Sequence, residues 1–363
     1  MRKYIVLVAG YEYHNGRTNI ATIAKRRANY LLHVNRSWRT DPNINFILFD
    51  VRFGKIDRGT VRSGRVSWTT ENNSFEAIND NVHYTSDRKF IEADTNVMSI
   101  TDVYAYIQNI GATEPGTVKE FSIFGHGWRG GPVLVNTYER ADFRSNGSRS
   151  SERDPWDKDG RKKDTNVTNM GFEPWLNFKN AFADDGIIWV WGCASSKRYK
   201  TVINKVLRSP EFRAKRYGRH VDTDTFSLSF SQDYADDNFI YDPLFFYRSR
   251  TAGSTRNRQF TRTLLEVKEF LIRGLVHTYA AQMAYNTGIE TYAALPGTGS
   301  DYERSGTSRL RVMVVPTSSS TYGYSFSQVV RFYDTYIDIQ RDGEGRNYSL
   351  YDYNRIRAWK RRP

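Results

Sequence analysis

Four short apolar runs, each followed by glycine or aspartate, organise the N-terminal part of the chain. They cover residues 4–9, 46–49, 121–124 and 187–191. Continuous apolar stretches of this length are typical of strands buried on both faces, as in a parallel sheet. Between the first two runs, apolar residues at helical spacing over 19–34 predict a helix that Thr18 or Asn19 can cap. Strand, helix and strand in this order predict a right-handed βαβ unit.

The rest of the chain repeats the same two periodicities. Apolar residues three and four positions apart predict helices over 99–110, 175–182, 199–207, 263–285 and 326–338. Strands are predicted over 291–295 and 310–315, and alternation over 61–68 predicts a hairpin within the polar segment 51–95. Together these elements predict an α/β fold, a three-layer sandwich with a mostly parallel central sheet and several insertions. The 363 residues permit one or two domains, and we expect one enlarged domain over 1–363.

One long polar segment, 137–170, interrupts this pattern. It is rich in Arg, Ser, Asn, Asp and Gly and has no periodicity, so we expect an exposed, mobile loop insertion, which is a candidate site for autoprocessing or activation. Its residues 157–160 imitate the start of a calcium-binding loop. If Asp154 or Asp157 is taken as the first position of such a loop, the twelfth position is residue 165 or 168. Both residues are threonine and not the glutamate that binds calcium, so we expect no calcium there.

Composition changes this picture little. Hydrophobic residues make up 39% and aromatic residues 15% of the chain, which is enough for a substantial core. The net charge of +13 (53 minus 40) favours polyanionic partners. Because 40 acidic residues are scattered among the basic ones, we favour a well-solvated basic surface over a dedicated nucleic-acid site.

The chain has one cysteine, Cys193, so an intramolecular disulfide is excluded. The N-terminus resembles a first strand and not a signal peptide, and no apolar stretch approaches the ~20 residues that span a bilayer. We therefore expect a cytoplasmic protein, with export by a route that needs no such signal left open. Spacings for zinc, for a phosphate-binding loop and for a dinucleotide are missing from the sequence, so neither a metal nor a cofactor is expected.

Reactive side chains follow two of the apolar runs. His126 comes after 121–124 and Cys193 after 187–191, and glycine accompanies both. A lone cysteine or histidine is most often structural. Because ligands bind beyond the carboxyl ends of parallel strands, the pair predicts a thiol nucleophile with an imidazole partner. A helix beginning near Ser196 would favour the thiolate.

The glycines beside the pair also have predicted roles. The amides of Gly127 and Cys193 are candidate donors to an oxyanion, and Trp128 is a candidate wall of the cleft. The remaining histidines, at positions 14, 33, 83, 220 and 277, lack a comparable setting.

The segments 121–127 and 187–195 resemble the motifs of the caspase-like clan of cysteine peptidases, which includes legumain, gingipains, clostripain and separase. In that clan the histidine precedes the cysteine, as here, and the resemblance covers residues 120–195. It implies a caspase-like sheet, a His126–Cys193 dyad, an oxyanion amide at Gly127 and a protein or peptide substrate. The caspase pentapeptide around the cysteine is missing, so the resemblance is to the clan and not to caspases themselves.

The segment 277–299 resembles a helix–turn–strand of toxin-associated members of the clan. The resemblance implies that the loop Pro296–Tyr302 lies near the substrate. Asp301 or Glu303 could then select a basic side chain before the cleaved bond, and both could equally be solvated loop charges.

Two further functions stay open. One is a non-catalytic scaffold whose basic face binds nucleic acid or an acidic partner. The other is a thiol hydrolase that uses the same dyad on a non-peptide acyl substrate.

Overall fold

The computed structural model describes residues 2–11, 19–78, 96–194, 196–239, 242, 245, 257–302, 312–314 and 326–361. Within them the strands are β1 (Lys3–Ala9), β2 (Ile44–Asp50), β3 (Lys55–Arg62), β4 (Arg65–Asn72), β5 (Val118–Phe124), β6 (His126–Trp128), β7 (Gly131–Val133), β8 (Phe182–Val190), β9 (Thr225–Phe230), β10 (Arg258–Thr263), β11 (Glu290–Ala293), β12 (Ser300–Tyr302), β13 (Val312–Val314) and β14 (Ser349–Tyr351). The helices are α1 (Ile20–Val34), α2 (Ile100–Thr113), α3 (Val167–Met170), α4 (Phe172–Ala181), α5 (Lys197–Arg208), α6 (Pro210–Arg213), α7 (Gln232–Phe239), α8 (Leu264–Val276), α9 (Tyr279–Thr287), α10 (Phe326–Tyr336) and α11 (Tyr353–Lys360).

The central sheet has eight strands in the order β14-β11-β8-β5-β1-β2-β3-β4. The five in the middle, from β11 to β2, run parallel to one another. The hairpin β3–β4 and the strand β14 add antiparallel edges. This is the mixed α/β fold with a large, mostly parallel central sheet that the sequence predicts.

Helices cover both faces of the sheet. Along β1, Val6 and Val8 pack into one apolar core, with α2, α5, α8 and α9, while Ile5 and Leu7 pack into a second core, with α1. Successive side chains of a strand point to opposite faces, so a run that is apolar throughout must be covered on both sides. The two cores confirm the three-layer arrangement.

The strongest sequence patterns are reproduced closely. All four apolar runs form strands of the central sheet, and the helix predicted over 19–34 begins at Ile20, where the Asn19 side chain accepts from the Thr22 amide at 3.1 Å. The hairpin predicted over 61–68 is β3–β4. Residues 79–95 of the surrounding segment, and residues 310–311 and 315 of a predicted strand, lie outside the described residues.

The single helix predicted over 263–285 is wrong. Two helices, α8 and α9, occupy this stretch and are separated at His277 and Thr278. Thr278 caps α9, with its hydroxyl oxygen accepting from the Ala281 amide at 3.1 Å. A threonine that caps a new helix ends the previous one although the apolar spacing continues.

The prediction of an exposed loop over 137–170 is wrong for its second part. The tip, 138–152, is mostly exposed. Beyond the tip, five charged side chains are buried: Asp154, Asp157, Asp159, Arg161 and Asp164. Charged groups are buried where they find partners, and these carboxylates accept from arginines and backbone amides.

In the described part of the chain, no helix is both long and apolar enough to cross a membrane.

Candidate active site

Strands β5 and β8 bring His126 and Cys193 to the same edge of the sheet. The two strands are parallel neighbours, with Ile123 opposite Val190. The Trp191 amide donates to the Ile123 carbonyl at 2.9 Å, so the pairing continues past the end of β8. His126 lies three residues after Ile123, and Cys193 lies three residues after Val190. The sequence-based expectation that both residues emerge at one carboxyl edge therefore agrees with the topology.

The loops that carry these residues touch through their backbones. A Cβ atom on Gly127 would lie 2.6 Å from the Cys193 carbonyl oxygen, and one on Gly192 would lie 3.1 Å from both the Gly125 oxygen and the Gly127 nitrogen. Real Cβ atoms do not approach backbone as closely as the first of these distances. Glycine is required at 127 because the backbones of the two loops approach each other closely, which is a common use of this residue.

His126 opens a short hairpin at the mouth of the site. It is the first residue of β6, which pairs antiparallel with β7, and it lies opposite Val133. His126 and Cys193 are both half-buried, so the side chains are held by their surroundings and still border solvent. A nucleophile and its base need this combination of fixed position and access to substrate.

The Cys193 sulfur contacts a residue far along the chain. Its Sγ atom lies 3.0 Å from the Ser300 amide nitrogen, 3.4 Å from the Ser300 hydroxyl oxygen and 3.5 Å from the Ser300 carbonyl oxygen. Ser300 begins β12, so the loop Pro296–Tyr302 lies beside the cysteine. Sequence reasoning brought this loop to the cleft by resemblance but missed Ser300 itself, because no local pattern links a serine to a sulfur 107 positions away.

The structure describes the other predicted substrate-binding residues only in part. The Trp128 side chain is 43% exposed, and the guanidinium of Arg161 lies 5.6 Å from the centre of one of its rings. The backbone of Asp301 belongs to β12, while its side chain lies outside the described residues. Glu303 also lies outside them. Contact of these residues with a substrate stays a prediction.

The insertion supports the His126 hairpin along its second strand, β7. The Gly160 amide donates to the Pro132 carbonyl and the Lys162 amide to the Gly130 carbonyl, both at 2.9 Å. Asp159, directly before this stretch, accepts from the four amides of residues 134–137 at 2.7–3.1 Å. Burial raises the pKa of Asp159, and the charge of Arg161 opposes that rise. The polar segment thus fixes the chain on both sides of β7.

The remaining histidines have structural settings where they are described. His220 is buried, stacks on the Phe212 ring with centroids 4.2 Å apart, and lies 3.0 Å from the Phe212 carbonyl oxygen. His33 is exposed on α1. His277 lies between α8 and α9, and His14 and His83 lie outside the described residues. Across the described ranges, no group of three or more His, Cys, Asp or Glu residues is arranged to hold a metal ion.

No family model matches the sequence, and no curated protein matches it. Among solved structures, the chain is similar to a secreted C11 cysteine protease from Bacteroides thetaiotaomicron, determined in complex with an irreversible peptide inhibitor. The identity is 11%, the TM-score is 0.26, and the match covers 63% of this chain. It covers 48% of the protease, about half of its length. A likeness this distant carries no argument about activity, which has to come from the residues of this chain.

Proposed function

We propose that the chain is a cysteine endopeptidase of the caspase-like clan, with Cys193 as nucleophile and His126 as acid–base partner. One observation supports the proposal: the strands that precede His126 and Cys193 are parallel neighbours that end at one sheet edge, and the loops that carry the two residues touch there. Structural cysteines and histidines occur anywhere in a fold. Placement of both at the ligand-binding edge of a parallel sheet, each half-buried, is what thiol catalysis requires.

The proposed reaction proceeds through a thioester. The Cys193 thiolate attacks the carbonyl carbon of the cleaved peptide bond and forms the S–C bond. His126 gives a proton to the leaving amine as the C–N bond breaks. Water then attacks the thioester, releasing the acid and restoring the thiol.

Two backbone amides are the proposed oxyanion donors. The Gly127 and Cys193 amides belong to the loops that meet at the sheet edge, which is why we assign them this role. Donors that the fold already holds in place need no rearrangement when the charge develops, which is why such amides contribute strongly to rate. Selection of a basic side chain by Asp301 or Glu303 is part of the same proposal.

The decisive experiment removes the sulfur. We expect Cys193→Ala and His126→Ala each to lower peptide cleavage at least about a thousandfold. Residues that act as one catalytic unit depend on each other, so removal of either one loses most of the rate enhancement. Peptide acyl-methyl-ketone probes that vary the residue before the cleaved bond should label wild-type protein at Cys193. His33→Ala is the matched control, since this histidine is exposed on α1 and distant in sequence from the site. Full cleavage by Cys193→Ala would exclude the proposed mechanism.

A second candidate function is suggested by the insertion tip. Three exposed arginines, at 140, 144 and 149, lie over aromatic rings in or next to the tip. Tyr138 and Trp156 are exposed and Phe143 is buried beneath them, which gives a basic surface with aromatic side chains. Such surfaces suit single-stranded nucleic acid or an acidic protein segment. Binding of RNA or DNA that weakens steeply with salt and is unchanged in Cys193→Ala would favour this scaffold function.

A further inference from the structure

Strand β4 forms one edge of the central sheet. It is the last of the eight strands in the sheet order, and among the described residues no other strand pairs with its outer side. The strand has eight residues, and all of their side chains are half-buried or exposed. An edge strand of this length presents free amides and carbonyls, which are a template for pairing with a further strand.

The turn between β3 and β4 decides which backbone groups point outward. Ser63 and Gly64 have positive φ values of 50° and 74°, as in a two-residue hairpin turn, and Arg62 lies opposite Arg65. The carbonyl of the residue before such a turn accepts from the amide of the residue after it. Bonded and non-bonded pairs then alternate along the antiparallel ladder. The backbone groups that point away from β3 are therefore those of Val66, Trp68 and Thr70.

These three positions are symmetric about Trp68. If a second copy of β4 pairs antiparallel with this edge, Trp68 lies opposite its own copy and Val66 lies opposite Thr70 of the second copy. A shift of one residue would set outward groups against groups already bonded to β3, which excludes it. Pairing of β4 with β3 is regular as far as Thr70, so the strand is undistorted over these positions.

Arg65 and Glu71 lie on the same face of the sheet. Val66 and Trp68 pack against the core that contains α1, so the neighbouring Arg65 points to the other face. The Glu71 carboxylate accepts from the Arg58 guanidinium at 2.7 Å. Arg58 belongs to that other face, because the next residue of β3 lies opposite Trp68. Arg65 and Glu71 are both exposed, so both can reach a second copy.

The symmetric register brings opposite charges together. Arg65 lies three positions before Trp68 and Glu71 three positions after it, so each lies opposite the other's copy, twice in the dimer. Charged residues on an edge strand normally discourage pairing. Here the two signs match across the axis, and opposite charges that face each other on paired strands stabilise a sheet.

We infer that the chain forms a symmetric homodimer in which two copies of β4 pair antiparallel about Trp68 and extend the central sheet. Strands β1, β2 and β3 separate β4 from β5, so the dimer forms away from the candidate active site. The dimer does not depend on the proposed function.

Sedimentation velocity of the full chain over a concentration series measures the association. We expect wild-type protein to sediment increasingly as a dimer as its concentration rises. Arg65→Glu and Glu71→Arg each place like charges opposite one another twice, so each should weaken association about tenfold or more. The double variant with both changes restores opposite signs and should associate more tightly than either single variant. Arg213→Glu makes the same change of charge as Arg65→Glu at the exposed end of α6 and is the matched control.

Engineered cysteines test the register in the Cys193→Ala background. In the proposed dimer, Ser67 lies opposite Thr69 of the second copy as a non-hydrogen-bonded pair, whose Cβ atoms are close enough for a disulfide. We expect a mixture of Ser67→Cys chains and Thr69→Cys chains to oxidise to a crosslinked dimer. Either variant alone should crosslink much less, because identical positions are two residues out of register.

Wild-type protein that stays a monomer at every concentration would overturn the inference. So would a dimer that Arg65→Glu weakens no more than Arg213→Glu does, or chains that crosslink as well alone as in the mixture. Urea unfolding of each variant separates lost association from lost folding, and we expect the exposed substitutions to stay within about 0.5 kcal/mol of wild type. Peptide cleavage enters none of these measurements, so failure of the peptidase proposal would leave the dimer unaffected.

Discussion

The hairpin that carries His126 is supported on its two sides in different ways. Towards Cys193, backbone meets backbone at Gly127 and Gly192, with no side chain between. On the other side, a buried group of carboxylates and arginines from 153–165 binds the chain around β7. The first support needs the smallest residue, and the second needs a complete set of partners for every buried charge. Substitutions should therefore harm the two sides by different mechanisms and to different degrees.

The charged side should give the largest effect on stability. Asp159→Ala leaves the amides of 134–137 without their acceptor and Arg161 without part of its countercharge. Buried donors that lose their partners cost the full desolvation penalty, so we expect a loss of about 3–5 kcal/mol in the free energy of unfolding. Chemical denaturation of the full chain measures it.

Asp142→Ala is the control for this prediction. Asp142 belongs to the exposed tip of the same insertion, and its carbonyl, which accepts from the Arg149 amide at 2.8 Å, is kept in alanine. We expect its unfolding free energy to stay within about 0.5 kcal/mol of wild type. Equal, small effects of the two substitutions would show that the carboxylate of Asp159 does not hold the hairpin.

The glycine side should give a smaller loss of stability and a clear loss of activity. In Gly127→Ala the new Cβ would lie 2.6 Å from the Cys193 oxygen, so the two loops must move apart. Overpacking of this kind costs about 1–3 kcal/mol. Because His126 is the preceding residue, we also expect peptide cleavage to fall at least about tenfold through lost alignment. Unfolding and kinetics are measured on the same preparation.

Two other glycines calibrate that result. Gly192→Ala places its Cβ 3.1 Å from the nearest backbone atoms, so the loops need to yield less and the effect should be milder. Gly343→Ala meets nothing within 4 Å and should be neutral. An order of effects other than Gly127, Gly192, Gly343 would contradict the close approach of the two loops.

The same contrast explains what could be predicted from the sequence. The strands β5 and β8 end in apolar runs that glycine follows, so the arrival of His126 and Cys193 at one edge of the sheet follows from local pattern. The buried carboxylates look like solvated loop residues until their partners are known. Asp159 pairs with amides more than twenty positions earlier, and Ser300 meets Cys193 across 107 positions. Neither contact leaves a periodicity in the chain.

Elements were missed for the same reason. The strands β6 and β7 have three residues each and contain glycine and proline, so they carry no alternation to detect. The break between α8 and α9 depends on one capping threonine within a continuous apolar pattern. The missed features are not weakly hydrophobic. They are either very short or depend on a partner elsewhere in the chain, whereas the predicted features follow from local hydrophobic patterns.

The smallest predicted effect tests the charged side through pH. Partial burial, together with the charges of Lys162, Arg129, Lys360 and Arg273, lowers the pKa of His277. The neutral ring is then favoured in the folded state, so its contribution to stability is complete above the unfolded pKa of about 6.5 and is lost as the pH falls below it. Between about pH 7.5 and about pH 5.5 we expect a loss well under about 1 kcal/mol, because solvent screens the partly exposed ring.

His277→Asn should remove this part of the pH dependence, while the exposed His33→Asn should leave it in place, as measured by urea unfolding at several pH values. His277 lies at the junction between α8 and α9. This junction is joined to the His126 hairpin because the Tyr279 amide donates to the Arg129 carbonyl at 3.1 Å. If the cations around His277 were released by Asp159→Ala, the dependence should shrink in that variant as well. A pH dependence unchanged by His277→Asn would contradict the assignment of this part of the dependence to His277.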